Sequence, residues 1–317
     1  MPKVLVTGAS GFVGKSLCEA LAKGSISYRR ALRSKLDSVP DDAVIGDIGP
    51  DTSWRPALQD VDSVIHLAAR AHIMRDSAAD ALAEYRRINV AGTTKLAQEA
   101  IRAGVRQFVF LSSIKVNGER TGSMPFREVD EPSPEDSYGL SKLEAERELI
   151  RICAGSGMAI TIIRPPLVYG PEVKGNFLTL MRAVYRGIPL PFASIDNRRS
   201  LIYVGNLISA ILACLGNSCS ANRTYLVSDG YDLSTPELIR KLAAALQSPT
   251  RLYSLSPSLL RLAGKMIGRT GQVARLTESL QVDQSLTKQA LGWTPPISVE
   301  QGLADTARWY ASAIRTN

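Results

Sequence analysis

The chain has 317 residues, 45% of them hydrophobic and 21% charged, a balance that excludes a disordered protein and suffices for one large or two modest domains. Its 38 Lys and Arg against 30 Asp and Glu leave a formal net charge of +8. No apolar run approaches the roughly 18 residues of a membrane span, and neither a signal-peptide pattern nor a low-complexity tract is present, so a cytoplasmic protein without stable membrane insertion is expected.

Val4-Leu5-Val6 is an apolar run of the kind that fills a parallel strand buried on both faces. Thr7-Gly8-Ala9-Ser10-Gly11-Phe12-Val13-Gly14 follows, and residues 15–23 read as a helix. A strand turning sharply into a helix aims backbone N–H groups and the positive end of the helix dipole at one spot. Glycines there let the turn form and let a diphosphate approach the backbone. The spacing, Gly-x-x-Gly-x-x-Gly, is a variant of the dinucleotide fingerprint, and its place between strand and helix makes it specific.

Further strands are predicted at 28–32, 44–45, 61–67, 108–111 and 160–163. Helices are predicted at 82–103 and at 141–153, the second opened by a Ser141–Glu144 capping box. This alternation predicts an α/β fold, a Rossmann-type doubly wound parallel sheet with right-handed crossovers, over residues 1–170. After Pro165-Pro166 the pattern changes. A helix is expected at 177–186, a proline-punctuated edge segment at 188–192, a strand and helix at 201–214, a strand at 224–227 and a helix from Thr235-Pro236. Residues 171–317 are therefore expected to form most of a smaller, interwoven substrate-binding domain, with segments near 201–228 returning to the first. Cys18, Cys153, Cys214 and Cys219 form no Cys-x-x-Cys pair and read as buried free thiols, while His66 and His72 are too few for a zinc site, so no metal is expected.

An NAD site places a carboxylate about 20 residues past the glycines, on the ribose 2′-hydroxyl. Here Arg29-Arg30-Ala31-Leu32-Arg33-Ser34-Lys35 carries no acid before Asp37. Arg33 suits a 2′-phosphate, so NADP(H) is expected in preference to NAD(H), with a solvated basic loop as the alternative. Tyr138 and Lys142, four residues apart, share a face if helical. A nearby ammonium and a cationic nicotinamide would lower the phenol's proton affinity, and Lys142 can also bond the nicotinamide ribose. Ser112-Ser113 ends a strand at the carboxyl edge of the sheet, where open α/β sheets bind ligands.

These segments, with Ile65-His66-Leu67-Ala68-Ala69 and Asn89-Val90-Ala91-Gly92-Thr93, resemble the extended short-chain dehydrogenase/reductases, and more narrowly their nucleotide-sugar epimerase/dehydratase branch. The resemblance continues through Arg164-Pro165 and Val168-Tyr169-Gly170-Pro171 to Leu291-Gly292-Trp293-Thr294-Pro295. It implies a catalytic set of Ser113, Tyr138 and Lys142. It implies cofactor contacts at Gly8, Ser10, Gly11, Phe12, Val13, Gly14, Arg33, Asp47, Ile48, Ala68, Ala69, Asn89, Ser112 and Pro165, joined by Tyr138 and Lys142. Asn176 and Arg199 match positions that hold the nucleotide diphosphate, and Arg275 is a further candidate, while His66 reads as a packed strand residue.

The 4,6-dehydratases of this branch carry an Asp-Glu pair after the triad hydroxyl, where this chain has Ile114-Lys115. Val116-Asn117-Gly118 stands where relatives usually read Val-Tyr-Gly. Ser-Ser-Ile-Lys-Val-Asn-Gly, with Ser279-Leu280-Gln281-Val282-Asp283, most resembles the UDP-N-acetylquinovosamine dehydrogenases. That implies NADP(H)-dependent reduction at C4 of a UDP-linked 2-acetamido-6-deoxy hexose, in surface-polysaccharide synthesis. The alternatives are a UDP-hexose 4-epimerase with retained NAD, and a non-catalytic NADP-sensing regulator. A UDP-sugar is the expected partner, nucleic acid is not, and a homodimer is left open.

Between Glu237 and Glu278 the chain carries Arg240, Lys241, Arg251, Arg261, Lys265, Arg269 and Arg275 and no acid. Leu259, Leu260, Ala263, Met266 and Ile267 recur there at helical spacing, and the preferred expectation is a helix packing this apolar face on the substrate domain with its charges solvated. Diphosphate binding through Arg275 and loose attachment to an anionic bilayer are the competing readings.

Overall fold

The computed structural model of the chain describes residues 3–35, 41–71, 80–266, 268 and 270–315; Asp37, His72, Ile267 and Arg269 lie outside them. In chain order, β1 (Val4–Thr7) feeds α1 (Phe12–Lys23), followed by β2 (Tyr28–Leu32), β3 (Ala43–Val44), α2 (Arg55–Leu58) and β4 (Ser63–His66). Then α3 (Ala81–Tyr85) runs through a π-helical stretch (Arg86–Gly92) into α4 (Thr93–Arg102). Next come β5 (Gln107–Leu111), a 3₁₀ turn (Ile114–Val116), α5 (Ser137–Cys153), β6 (Ala159–Arg164) and β7 (Leu167–Tyr169). The rest comprises α6 (Gly175–Tyr185), β8 (Leu201–Tyr203), α7 (Val204–Cys214), β9 (Arg223–Leu226), α8 (Thr235–Ala245), α9 (Pro257–Met266), α10 (Thr270–Thr277), α11 (Ser285–Leu291) and α12 (Val299–Arg315).

Seven strands pair in parallel in the order β3-β2-β1-β4-β5-β6-β9, and β7 pairs with β8 separately. The order reverses at the β1–β4 boundary, and that switch point is where a doubly wound sheet opens a crevice at its carboxyl edge. Alternate residues feed two cores. Val4, Val6, Ile65, Val109 and Ile163 pack on one face with α1 and α7, and Leu5, Val64, Phe108, Phe110 and Ile162 on the other with α4 and α5. Both faces being covered explains why these strands read as unbroken apolar runs.

The predicted helix at 82–103 is one body in three parts, because its middle is widened into the π stretch. The helix expected from Ser141 starts at Ser137. Asp136 is its cap, accepting from the Gly139 N–H at 2.7 Å, whereas Ser141 is buried and donates to the Tyr138 carbonyl. The capping box lies instead at Ser234 and Glu237, opening α8. The 188–192 segment is no strand and forms one bridge, Leu190 to Leu252. Cys18, Cys153 and Cys214 are buried as expected, but Cys219 is exposed.

The largest departure is α9. Among the described residues of the apolar face expected to pack inward, only Leu260 is buried; Leu259, Ala263 and Met266 are exposed. The inward face is Leu260 with Gly264, and a Cβ at Gly264 would meet the Val273 side chain of α10 at 2.6 Å. Close approach of α10 at the glycine therefore sets the orientation of α9.

Two buried polar networks tie the motifs together. Arg164 holds Glu146 through two bonds, at 3.0 and 2.5 Å, and donates to Asn117 Oδ1 at 2.9 Å. Tyr169 Oη, the Tyr203 N–H and Asn206 Nδ2 all donate to Asp229, whose carboxyl burial pushes up. Trp293, just past the left-handed Gly292, is buried and donates to Ser209.

His66 is 1% exposed and its ring nitrogens meet the Thr7 and Thr93 hydroxyls at 2.6 and 2.9 Å. Burial, with the Lys142 charge behind it, pushes its pKa down to about 3. The unfolded chain therefore binds a proton between the ordinary value of 6.5 and about 3 that the folded chain refuses, so stability falls as pH falls through that window. From pH 7 to pH 5, urea unfolding should lose about 2 kcal/mol to this group, a loss that a His66→Gln variant lacks; equal slopes in both proteins would contradict it.

Candidate active site

The crevice at the switch point is a groove of about 640 Å³ lined by Gly8, Ser10, Gly11, Arg33, Asp47, Ile48, Ala68 and Ala69 among others. Gly8 sits at φ +68°, and a Cβ there would meet the Ala68 backbone N at 2.8 Å. A Cβ on Gly14 would meet the Gly8 carbonyl at 2.1 Å. These glycines bring β1, β4 and α1 together closely enough to form the groove floor. The α1 N-terminus, with Phe12 and Val13 in its first turn, receives no side-chain cap from Gly11, so its N–H groups remain for an anion. Deeper along the edge, Ser112 Oγ is buried with no hydrogen-bond partner among the described residues. The chemistry of this lining fits a dinucleotide.

Of the basic run after β2, Arg29 is held by Asp41 and the carbonyls of Pro56, Ala57 and Gln59, and Arg30 by Asp42. Arg33 alone of the three reaches the groove, where it pairs with Asp47 at 2.7 Å. Both side chains are largely exposed, so the pair is weak and its members can reorient.

Asn89 is buried in the π stretch. Its Oδ1 accepts from the Arg70 N–H at 2.7 Å, and its Nδ2 donates to the Arg70 carbonyl and to Ser141 Oγ. It thus clamps the loop after β4 to α5. Pro165 acts likewise through its carbonyl, which accepts from the Ile114 N–H at 3.0 Å.

Lys142 is 2% exposed. Its ammonium donates to the Leu111 carbonyl at 2.7 Å and lies 4.2 Å from the centroid of the Phe110 ring. Burial pushes its pKa down to about 7. One turn earlier Tyr138 packs edge-on to Tyr85, at 6.2 Å between centroids. Its phenol is pushed well above the ordinary range by burial, with Asp136 and then Tyr85 adding to the effect. The protein alone therefore favours the protonated Tyr138 phenol; the lowering expected from the ammonium together with a cationic nicotinamide requires the bound cofactor. Ser113 caps the 3₁₀ turn, its Oγ accepting from the Lys115 N–H at 3.3 Å.

Sequence reasoning missed the acidic bridge that joins the two ends of the site. Lys115 donates to Glu119 at 2.6 Å and to Asp136 at 2.5 Å, and Asp136 caps the helix that carries Tyr138. Glu119 also lies 4.0 Å from Arg275. The Arg275 charge, after burial, helps push Arg199 down to about 10, the mark of two guanidiniums held close. Arg199 is fixed by its bond to the Glu278 carbonyl and by the 279–283 segment, which pairs with residues 198–200 on one side and 121–126 on the other. The available signal was the i, i+4 spacing of Lys115 and Glu119. Asn176 lies in the first turn of α6 and makes no side-chain hydrogen bond to another described residue. No metal-ligating cluster occurs among the described residues.

Residues 4–228 match the NAD dependent epimerase/dehydratase family. The chain belongs to that family. It is 46% identical to a UDP-glucose 4-epimerase of Vibrio cholerae, over 99% of this chain and 97% of that one. Among solved structures it is similar to MoeE5 in complex with UDP-glucose and NAD, with a TM-score of 0.80, 25% identity and coverage of 98% and 99%. It is also similar to RMD from Pseudomonas aeruginosa complexed with NADPH, with a TM-score of 0.75, 25% identity and coverage of 98% and 100%. That first relative is a 4-epimerase, the alternative weighed above, where the narrower expectation was a quinovosamine dehydrogenase. The protein is an enzyme of this family with a nicotinamide-cofactor groove, and no helix among the described residues is long and apolar enough to cross a membrane.

The Lys115 bridge generates a stability prediction. Lys115→Met leaves Asp136 and Glu119, both partly buried, without their shared cation, and should cost about 1–3 kcal/mol in urea unfolding. A variant as stable as the parent would show that the bridge contributes nothing.

Proposed function

We propose that the protein is a UDP-sugar 4-epimerase that keeps its nicotinamide cofactor through turnover. The observation that carries this reading is the buried Tyr138–Lys142 pair at the carboxyl edge of β5, in a chain 46% identical to a UDP-glucose 4-epimerase. Ile114 and Lys115, the latter already bonded to two carboxylates, leave no acid–base pair for dehydration.

When bound, the dinucleotide supplies hydride acceptance and return at the sugar C4. The chain's residues do the rest. Tyr138 takes the C4 hydroxyl proton in one half of the cycle and returns it in the other. Ser113 orients that oxygen with its hydroxyl. The Lys142 ammonium, one turn along α5, would favour the phenolate together with the positive charge of a bound oxidised nicotinamide. Arg199 and Arg275 form the cationic seat for a diphosphate, with Asn176 as a further ligand, and the segments beyond residue 170 supply most of the sugar site. The phosphorylated cofactor, NADP(H), is favoured by Arg33, which stands where an NAD site has its carboxylate.

Purified protein, given no added cofactor, should interconvert UDP-glucose and UDP-galactose or their 2-acetamido counterparts. Turnover of a UDP-linked 4-keto or 6-deoxy sugar only with stoichiometric consumption of reduced cofactor would instead establish the reductase. Nucleotide released on denaturing the same preparation should carry the 2′-phosphate, and release of NAD alone would remove the argument from Arg33.

A further inference from the structure

From α9 we infer a docking surface for an anionic phospholipid bilayer, which goes beyond the proposed reaction. At about 100° per residue, Leu259, Leu262, Ala263 and Met266 fall on one continuous arc of the helix. Leu260 and Gly264 lie on one flank of that arc and Arg261 and Lys265 on the other. The first flank is packed against α10. The arc itself is bare: Leu259 is 52% exposed, Leu262 56% and Met266 80%. Four residues before α9, Tyr253 is 49% exposed.

The charge around this arc selects the occupant. No acid occurs in the sequence between Glu237 and Glu278, and Arg251, Arg261 and Lys265 form no ion pair with a carboxylate among the described residues. A second copy meeting this face with its own would set cations against cations. Nucleic acid would require several aromatic platforms interleaved with the cations, whereas residues 251–266 hold one aromatic, Tyr253, and α9 none. A negatively charged lipid surface satisfies both halves of the face. The arc settles at the boundary of the acyl chains while the long Arg and Lys side chains reach back to phosphate headgroups. The helix is short and packed on one flank, so it lies on the membrane and does not enter it. Because α10, the next helix, carries Arg275, docking would hold the diphosphate end of the active site close to the bilayer.

The test is co-sedimentation of the full chain, at physiological salt, with vesicles of phosphatidylglycerol and phosphatidylcholine in equal parts, and with phosphatidylcholine alone. Binding is expected to the mixed vesicles and not to the neutral ones. The double substitutions Leu262→Glu/Met266→Glu and Arg261→Gln/Lys265→Gln should each lower the partition coefficient about tenfold. Both should leave the unfolding transition and turnover of a water-soluble UDP-sugar unchanged. Failure of the parent protein to sediment with the mixed vesicles would overturn the inference, as would equal binding by the variants. So would a change in the oligomeric state of the Glu variants on sedimentation, which would make the face an interface between copies. None of these outcomes depends on which UDP-sugar is turned over.

Discussion

The position of the Lys142 ammonium is the constraint on which the rest of this site depends. A buried cation is costly unless it is bonded, and here the bond is to a strand-end carbonyl, Leu111, with the Phe110 ring beneath it. That contact fixes where α5 crosses the carboxyl edge of β5, and with it where Tyr138 stands. Everything nearby secures the same crossing. Asp136 caps the helix, Lys115 holds Asp136, Asn89 ties Ser141 to the loop after β4, and the Arg164–Glu146 pair clamps the middle of α5 to β6. Burial acts on both groups of this crossing, pushing the Tyr138 phenol up and the Lys142 ammonium down to about 7.

Much of this was legible in the sequence, for reasons that are local. The strands announce themselves because both faces of a parallel sheet are covered, and β2 falls at the predicted 28–32. The glycine turn is legible because Gly8 and Gly14 answer to backbone contacts that no side chain tolerates. What was not legible depends on partners distant in sequence. The start of α5 was misplaced because Ser141-x-x-Glu144 has the form of a capping box, while the operative cap, Asp136, is chosen by its contact with Lys115, 21 residues earlier. The π widening around Asn89 leaves no mark in apolar periodicity. The face of α9 was misassigned because five apolar residues at helical spacing do not reveal which of them a neighbouring helix covers. Gly264, where α10 comes close enough that a Cβ would meet Val273, decided it.

The two departures from the wider family pattern turn out to be connected. Asn117, where relatives usually place a tyrosine, accepts from Arg164 and donates to the Arg127 carbonyl, completing the buried network behind α5. Lys115, where a dehydratase carries an acid, neutralises Asp136 and Glu119 and leads through Glu119 to Arg275. The same short segment after β5 thereby links the cap of the helix that carries Tyr138 to Arg275. We propose that this link serves an enzyme whose chemistry at C4 is reversed in place.

The most direct measurement of that claim uses a UDP-sugar deuterated at C4. If the enzyme lifts and returns the same hydrogen within one active site, the epimeric product retains the deuterium at C4, with none in solvent or in free nucleotide. Appearance of the label in free reduced cofactor, with a 4-keto sugar accumulating, would contradict the account and establish a dehydrogenase.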